Sequence, residues 1–410
     1  MDMLLKNIGV LATPVGTVAR AGQCQGEIRV IENAMVGVTD GKFSYVGTFD
    51  ETLTAASVID CGGKLMTPGL VDAHTHMVFG GWRQKEMSLK LEGVSYLDIL
   101  KSGGGILNTV EQTRQATEEE LYDKTLRLLS EMMALGVTTC EAKSGYGLDL
   151  ENELKQLRVI KRVNEGHPAD VAATFMGAHA FPKEFENNRG GYVKYIIDEM
   201  LPKIAEKGLA KFCDIFTETA VFTIDESYDI LMAAKKLGLS LKVHADEIDP
   251  IGGAQLAARV GAISAEHLIE TSDEGILAMA SKGVIAVLLP STSFYLDKDF
   301  ARANDMIDAG VAVAIATDFN PGSSPCLNLQ FAMNLACLKY KLTPAQALTA
   351  VTLNGAAAID RADICGSIEV GKMADLVIWD ADDLDYIFYR YGSNLAKSVM
   401  KKGVFYVNHR

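Results

Sequence analysis

The chain has 410 residues, 48% of them hydrophobic, and a formal net charge of −14. That length suits two or three domains, or one large α/β barrel with a small partner, and nothing in the composition reads as disordered. The acidic balance argues against a nucleic-acid partner, which needs a basic face, while a small anionic substrate needs only one or two local cations.

Seven cysteines (Cys24, Cys61, Cys140, Cys213, Cys326, Cys337 and Cys365) are scattered without a C-x-x-C pair, as in a reduced cytosolic chain. Residues 1–7 carry no basic stretch leading into a long apolar core, so no signal peptide is expected. The longest apolar runs, such as 284–289, are strand-sized and too short to span a bilayer. A soluble, cytoplasmic protein is expected.

Residues 1–64 predict short strands: one over 4–12, and a pair over 34–38 and 43–47 around Asp40-Gly41, a hairpin signal. The far end of the chain predicts a strand over 374–380 and a hairpin over 398–407 turning at Lys401-Lys402-Gly403. Short strands at both ends need neighbours to bury their apolar faces. A small β-sandwich domain of residues 1–65 plus 365–410 is therefore expected, flanking a middle domain of residues 66–364.

The middle alternates apolar strands with amphipathic helices. Strands are predicted over 69–76, 137–142, 171–177, 212–217, 241–245, 262–267, 284–289 and 311–317, and helices over 118–135, 151–164, 224–237 and 273–281. Eight such units predict a (β/α)₈ TIM-like barrel of the α/β class. An open doubly wound sheet is the alternative, although no G-x-G-x-x-G opens a first helix.

Five of the seven histidines fall at the C-terminal ends of predicted barrel strands, the face where such barrels build their sites: His74, His76, His179, His244 and His267. Strand side chains at i and i+2 share a face, so His74 and His76 stand side by side at the end of the first strand. His244-Ala245-Asp246-Glu247 adds an imidazole and a carboxylate, and Asp318 ends the eighth strand. Three imidazoles and one carboxylate, with a position left for water, suit catalytic Zn²⁺ or Fe²⁺. Such an ion lowers the pKa of water from about 15.7 to roughly 7, and Glu247 is placed to move protons to a leaving nitrogen. His167, in a connection before Pro168, and His409, at the tail, read as ordinary histidines.

Seven stretches stand out in chain order: Thr67-Pro68-Gly69-Leu70-Val71-Asp72-Ala73-His74-Thr75-His76, Phe79-Gly80-Gly81-Trp82-Arg83, Gly103-Gly104-Gly105-Ile106, Lys143-Ser144-Gly145-Tyr146-Gly147-Leu148, Gly177-Ala178-His179-Ala180, His244-Ala245-Asp246-Glu247 and Ala316-Thr317-Asp318-Phe319-Asn320-Pro321-Gly322-Ser323-Ser324. On these residues the chain resembles the amidohydrolase superfamily of metal-dependent hydrolases, and within it the imidazolonepropionase family of histidine degradation. Gly366 to Lys372, with Ala374-Asp375-Leu376, is shared by the superfamily at large.

The resemblance implies one divalent metal ion per chain, Zn²⁺ or Fe²⁺ with Fe³⁺ as a variant, held by His74, His76, His244 and Asp318. It implies catalytic roles for Glu247, His267 and Asp318, leaving open which is the decisive proton acceptor. Substrate binding falls to Arg83, Tyr96, Tyr146, His179, Glu247, Asn320, Gly322 and Ser323. Two-metal relatives place a modified lysine at the end of the fourth strand; here that end reads Phe216-Thr217-Glu218, which favours one metal. The implied reaction is hydrolysis of the ring amide of 4-imidazolone-5-propanoate to N-formimidoyl-L-glutamate, by a cytoplasmic homodimer with no nucleic-acid or membrane partner.

Plainer readings stand beside these. Gly103-Gly104-Gly105 is followed by no Lys-Ser/Thr, so a flexible active-site loop is expected there rather than a phosphate loop. Lys143 reads as a structural charge, and Tyr96 as a possible packing residue at a helix start. An aminohydrolase that expels ammonia, another cyclic amidohydrolase, or a catalytically dead scaffold are the alternative functions. Ammonia release separates the first, and metal analysis the last.

Overall fold

The computed structural model describes residues 1–93 and 104–408. Tyr96, Gly103 and His409 lie outside the described residues. The first strands are β1 (Met3–Thr13), β2 (Arg29–Thr39), β3 (Lys42–Thr48) and β4 (Ser57–Pro68). β2 and β3 turn on Asp40 and Gly41, with φ of 51° and 71°. Two positive φ values are what a type I′ hairpin requires.

Eight parallel strands follow: β5 (Leu70–Asp72), β6 (Val137–Lys143), β7 (Asp170–Ala178), β8 (Phe212–Thr217), β9 (Ser240–Ala245), β10 (Ser264–His267), β11 (Ile285–Leu288) and β12 (Val313–Ile315). Each pairs with its neighbour in chain order, the arrangement of a (β/α)₈ barrel. Helices Glu118–Ala134, Leu150–Gly166, Ile224–Lys236 and Asp273–Lys282 lie where the apolar periodicity puts them. Two of these starts are fixed by capping boxes, Thr117 with Glu120 and Thr223 with Glu226.

The first barrel strand is shorter than its apolar run, because its ladder ends at Asp72. There the side chain takes over: Asp72 accepts from the Thr317 backbone N–H (3.0 Å) and from Thr317 Oγ1 (2.6 Å). Beyond it, Thr75 makes one isolated parallel bridge to Phe319. His76 N–H donates to the Phe319 carbonyl, and Asp318 N–H to that of His74. These bonds bring the first and eighth strand ends together and set His74, His76 and Asp318 side by side.

The last strands, β13 (Leu376–Trp379), β14 (Ala396–Lys401) and β15 (Val404–Asn408), join the first four in one seven-stranded sheet of order β15-β14-β13-β4-β1-β2-β3. That sheet folds back on itself. The Ala374 N–H donates to the Gly41 carbonyl and the Phe43 N–H to that of Lys372. Leu5, Val36, Phe43, Met66, Leu376 and Met400 consequently meet in one apolar cluster. β4 passes into β5 through Gly69, where a Cβ would fall 2.3 Å from Thr138 Oγ1, so only glycine permits the approach. Among the described residues, no helix is long and apolar enough to cross a membrane.

Candidate active site

The strand-end histidines converge at the C-terminal mouth of the barrel. His74 and His76 bring their Nε2 atoms to 3.3 Å from one another. Asp318 Oδ1 lies 3.4 Å from Nε2 of His74 and 3.6 Å from that of His76. The His244 ring centroid is 4.6 Å from that of His74 and 5.5 Å from that of His76. Ligand atoms of His74, His76 and His244 all lie within 4.8 Å of one another, as do those of His74, His267 and Asp318. His267 and Asp318 both hold left-handed backbone, with φ of 68° and 52°, a strain that clusters at functional sites.

Burial holds His74, His76 and His267 well below the ordinary imidazole pKa, and neighbouring cations push the same way, Lys143 foremost at His74. Neutral imidazole is the form that binds metal. His76 Nδ1, His244 Nε2 and His267 Nδ1 are buried with no hydrogen-bond partner among the described residues, a condition that folded proteins otherwise avoid. The close approach of His74, His76 and His244, with Asp318 Oδ1 beside them and His244 Nε2 unpartnered, fits a divalent metal ion.

A second tier of charge lies behind the histidines. His74 Nδ1–H donates to Glu266 Oε2 at 2.7 Å, which fixes the tautomer that turns Nε2 toward the cluster. Asp214 Oδ2 lies 3.0 Å from Nδ1 of His244. Lys143 Nζ is 2.7 Å from both Glu141 Oε2 and Asp214 Oδ2. Lys242 Nζ is 3.2 Å from Glu266 Oε1 and 3.4 Å from Glu141 Oε1. All five charged residues are fully buried. Burial opposes the charge of Lys143, but Asp214 and Glu141 outweigh it and raise its pKa. Burial likewise works against the Asp214 carboxylate, yet His244 and Lys143 hold its pKa well below the usual range. Lys143, the last residue of β6, is thus a charge beneath the site.

Arg83 sits to one side, in a seat made by Glu86 and Gly322. Its Nε and Nη2 donate to the two oxygens of Glu86 at 3.0 and 2.8 Å. A Cβ on Gly322 would fall 2.0 Å from Nη1, so the absence of a side chain there lets the guanidinium lie against the turn after β12. Asn320 organises that turn: its Nδ2 donates to the Asp318 carbonyl and to Ser323 Oγ, and its Oδ1 accepts from the backbone N–H groups of Gly322 and Ser323.

His179 stacks on His76 with centroids 5.0 Å apart and planes at 24°. Tyr146 is 5.3 Å from His179 and 6.0 Å from His76. Burial lowers the pKa of His179 to about 3, and burial followed by the Asp318 charge raises that of the Tyr146 phenol. The loop that carries Tyr146 hangs on Glu153, whose Oε1 accepts from the N–H of Gly147 (2.8 Å) and of Leu148 (2.9 Å) and whose Oε2 accepts from that of Gly145 (3.1 Å). Glu247 Oε2 is 3.5 Å from His267 Nε2, and burial, then the charges of Asp318 and Glu218, raise its pKa above the carboxylate range. His167 accepts the Ala169 N–H at Nδ1 and takes no part in the cluster.

The motifs singled out in the sequence leave several neighbours of the site unmarked: Glu86, Glu153, Asp214, Lys242 and Glu266. A signal for three of them was available. Asp214, Lys242 and Glu266 are charges inside otherwise apolar strands, and Lys242 stands two residues before His244, on the same face. Glu86 and Glu153 lie on helices, where an acidic residue in the first turn is ordinary.

The Amidohydrolase family profile matches residues 65–405. An imidazolonepropionase of Bacillus velezensis is 52% identical over 406 residues, covering 98% of this chain and 96% of that relative. One from Bacillus cereus is 51% identical over 409 residues, with the same coverage. Among solved structures, an adenosine deaminase from Xanthomonas campestris with bound zinc has a TM-score of 0.75 at 21% identity, over 100% of this chain and 93% of its own. A 5-methylcytosine deaminase from Klebsiella pneumoniae has a TM-score of 0.74 at 17% identity, over 100% and 98%. At those identities the structural likeness speaks for the fold alone.

Proposed function

The chain belongs to the amidohydrolase family and, within it, to the imidazolonepropionases, and from that premise we propose how its residues carry the reaction. The enzyme hydrolyses the ring amide of 4-imidazolone-5-propanoate, breaking a carbon–nitrogen bond to give N-formimidoyl-L-glutamate. The observation that supports our assignment of residues is the convergence of His74, His76, His244 and Asp318 beside the seat of Arg83.

In this reading those four residues hold one Zn²⁺ or Fe²⁺ per chain. When bound, the ion supplies Lewis acidity, which acidifies water and polarises a carbonyl. The protein's own groups do the rest. Arg83 grips the propionate carboxylate, for which its planar fork is suited. Tyr146 and His179 wall the ring, and the turn of Asn320, Gly322 and Ser323 closes the pocket beneath Arg83. His267 donates a hydrogen bond to the oxygen that gains charge at the ring carbonyl. Asp318 or Glu247 takes the proton lost by the attacking water, and Glu247 returns one to the departing ring nitrogen. Tyr96 remains a proposed substrate contact on the family resemblance alone.

We also propose a homodimer in the cytoplasm without a nucleic-acid partner, in keeping with the −14 charge, and a division into residues 1–65 plus 365–410 and 66–364. The deciding experiment supplies metal-loaded protein with 4-imidazolone-5-propanoate and follows N-formimidoyl-L-glutamate. Product should form without stoichiometric ammonia, and metal analysis should give about one ion per chain. Protein that leaves this substrate to its spontaneous decay while deaminating a nucleobase would overturn the reading.

A further inference from the structure

We propose that Glu86 is the positioning residue that fixes the angle at which Arg83 receives the substrate's carboxylate, and so helps determine the preference for a ring that bears a propionate arm. The inference rests on the reading of Arg83 as the carboxylate's partner.

Glu86 opens the short helix Lys85–Leu91. An acidic residue there ordinarily faces water and favours the helix dipole. This one is buried, at 6% exposed, and turns back on Arg83. The contact is side-on and two-pronged, from Nε and Nη2 to the two oxygens. A guanidinium held at its Nε edge by two bonds can neither rotate about its long axis nor swing. Its plane is set, and with it the direction of the adjacent Nη1–Nη2 edge, which shares Nη2 and which an end-on carboxylate would use. Gly322 lies against Nη1 and confines the same group from another side.

Glu86 is itself anchored. Its Oε1 accepts the Gly105 backbone N–H at 2.7 Å, at the start of the helix Ile106–Gln115. One carboxylate thus ties together the loop after β5, Gly105 and, through Arg83, the turn after β12. Ordering a long side chain before the ligand arrives removes an entropic cost from binding.

Two effects of Glu86 oppose one another. Its charge weakens the pull of Arg83 on an anion, and its geometry makes that pull directional. If charge dominated, removing Glu86 would tighten binding; if orientation dominates, binding weakens. A bidentate contact depends on alignment of both bonds, so orientation should prevail.

The test compares Glu86→Gln and Glu86→Ala in the metal-loaded enzyme, on 4-imidazolone-5-propanoate and on an analogue without the propionate, alone and in an Arg83→Ala background. KM for the propionate substrate should rise about tenfold or more, the scale of a charge-assisted hydrogen bond, while kcat falls far less and metal content holds. The analogue should show little change, and Arg83→Ala should abolish the effect of either substitution. If KM is unchanged or falls in both Glu86 variants while Arg83→Ala raises it, the inference fails and the reading of Arg83 stands. If Arg83→Ala leaves KM unaltered, that reading falls and takes the inference with it. A rise in KM that persists without Arg83 would make Glu86 a packing residue and likewise overturn the proposal.

Discussion

Glu247 and Asp318 are both carboxylates at strand ends, yet their surroundings fit them for different work. Asp318 is locked: Thr292 Oγ1 donates to its Oδ2 at 2.6 Å, and Oδ1 faces two imidazoles. Glu247 is less confined, with His267 as its near neighbour. Glu247→Gln should therefore keep the metal but lower kcat by about 10²–10⁴, the usual worth of general acid–base help. Metal analysis alongside steady-state rates checks both halves. Gly322→Ala acts on the other side of the pocket. Its Cβ would meet Arg83 Nη1, so the guanidinium must shift, and KM for a carboxylate substrate should rise with little change in Tm. An unchanged KM would show that the seat does not matter for binding. At this scale the sequence was most legible where one residue type has few other uses. His74, His76 and His244 announce themselves by type and spacing, whereas Glu86 looks like any acid at a helix start.

At the scale of elements, the loops beyond the strands are held by side chains that reach up from helices. Glu153, on Leu150–Gly166, accepts backbone N–H groups of the loop that presents Tyr146. Glu153→Ala would leave those buried donors without an acceptor and should cost about 2–3 kcal/mol, read from the midpoint of urea unfolding. A loss of kcat/KM beyond that of a matched surface variant would tie the loop to catalysis. Lys124 makes a second such tie, donating to the carbonyls of Phe79, Gly80 and Gly81 in the loop that leads to Arg83. Periodicity located the eight strands and four of the helices between them, because burial on one face or both leaves a direct imprint on composition. It overran the first strand, since apolar character continues past Asp72 while the ladder does not. Ties such as Glu153 to its loop leave no such imprint, because they depend on where a helix packs.

Across the whole molecule, Glu141, Lys143, Asp214, Lys242 and Glu266 form a buried lattice drawn from β6, β8, β9 and β10. Its members stabilise one another only as a set, since a buried charge without its partner is far more costly than a completed pair. Lys242→Met should destabilise the protein by roughly 3–5 kcal/mol and weaken metal binding, because burial would then favour protonation of Glu266, which would no longer orient His74 as a carboxylate. Chemical unfolding and chelator competition measure the two effects separately. Chelation of the wild-type enzyme should lower its Tm reversibly, since an ion bound only to the folded state stabilises it by mass action. The seven-stranded sheet has a different bearing, on the order in which the chain is made. β4 leads through Gly69 into the strand that carries His74 and His76, and the Trp379 indole N–H that bonds Thr67 Oγ1 lies 312 residues further along the chain. On the ribosome, one edge of β4 waits unpaired until β13 emerges, exposed as a template for other strands. A nascent chain can therefore hold nearly the whole barrel sequence while β4, the strand that leads into His74 and His76, still lacks β13 at its edge.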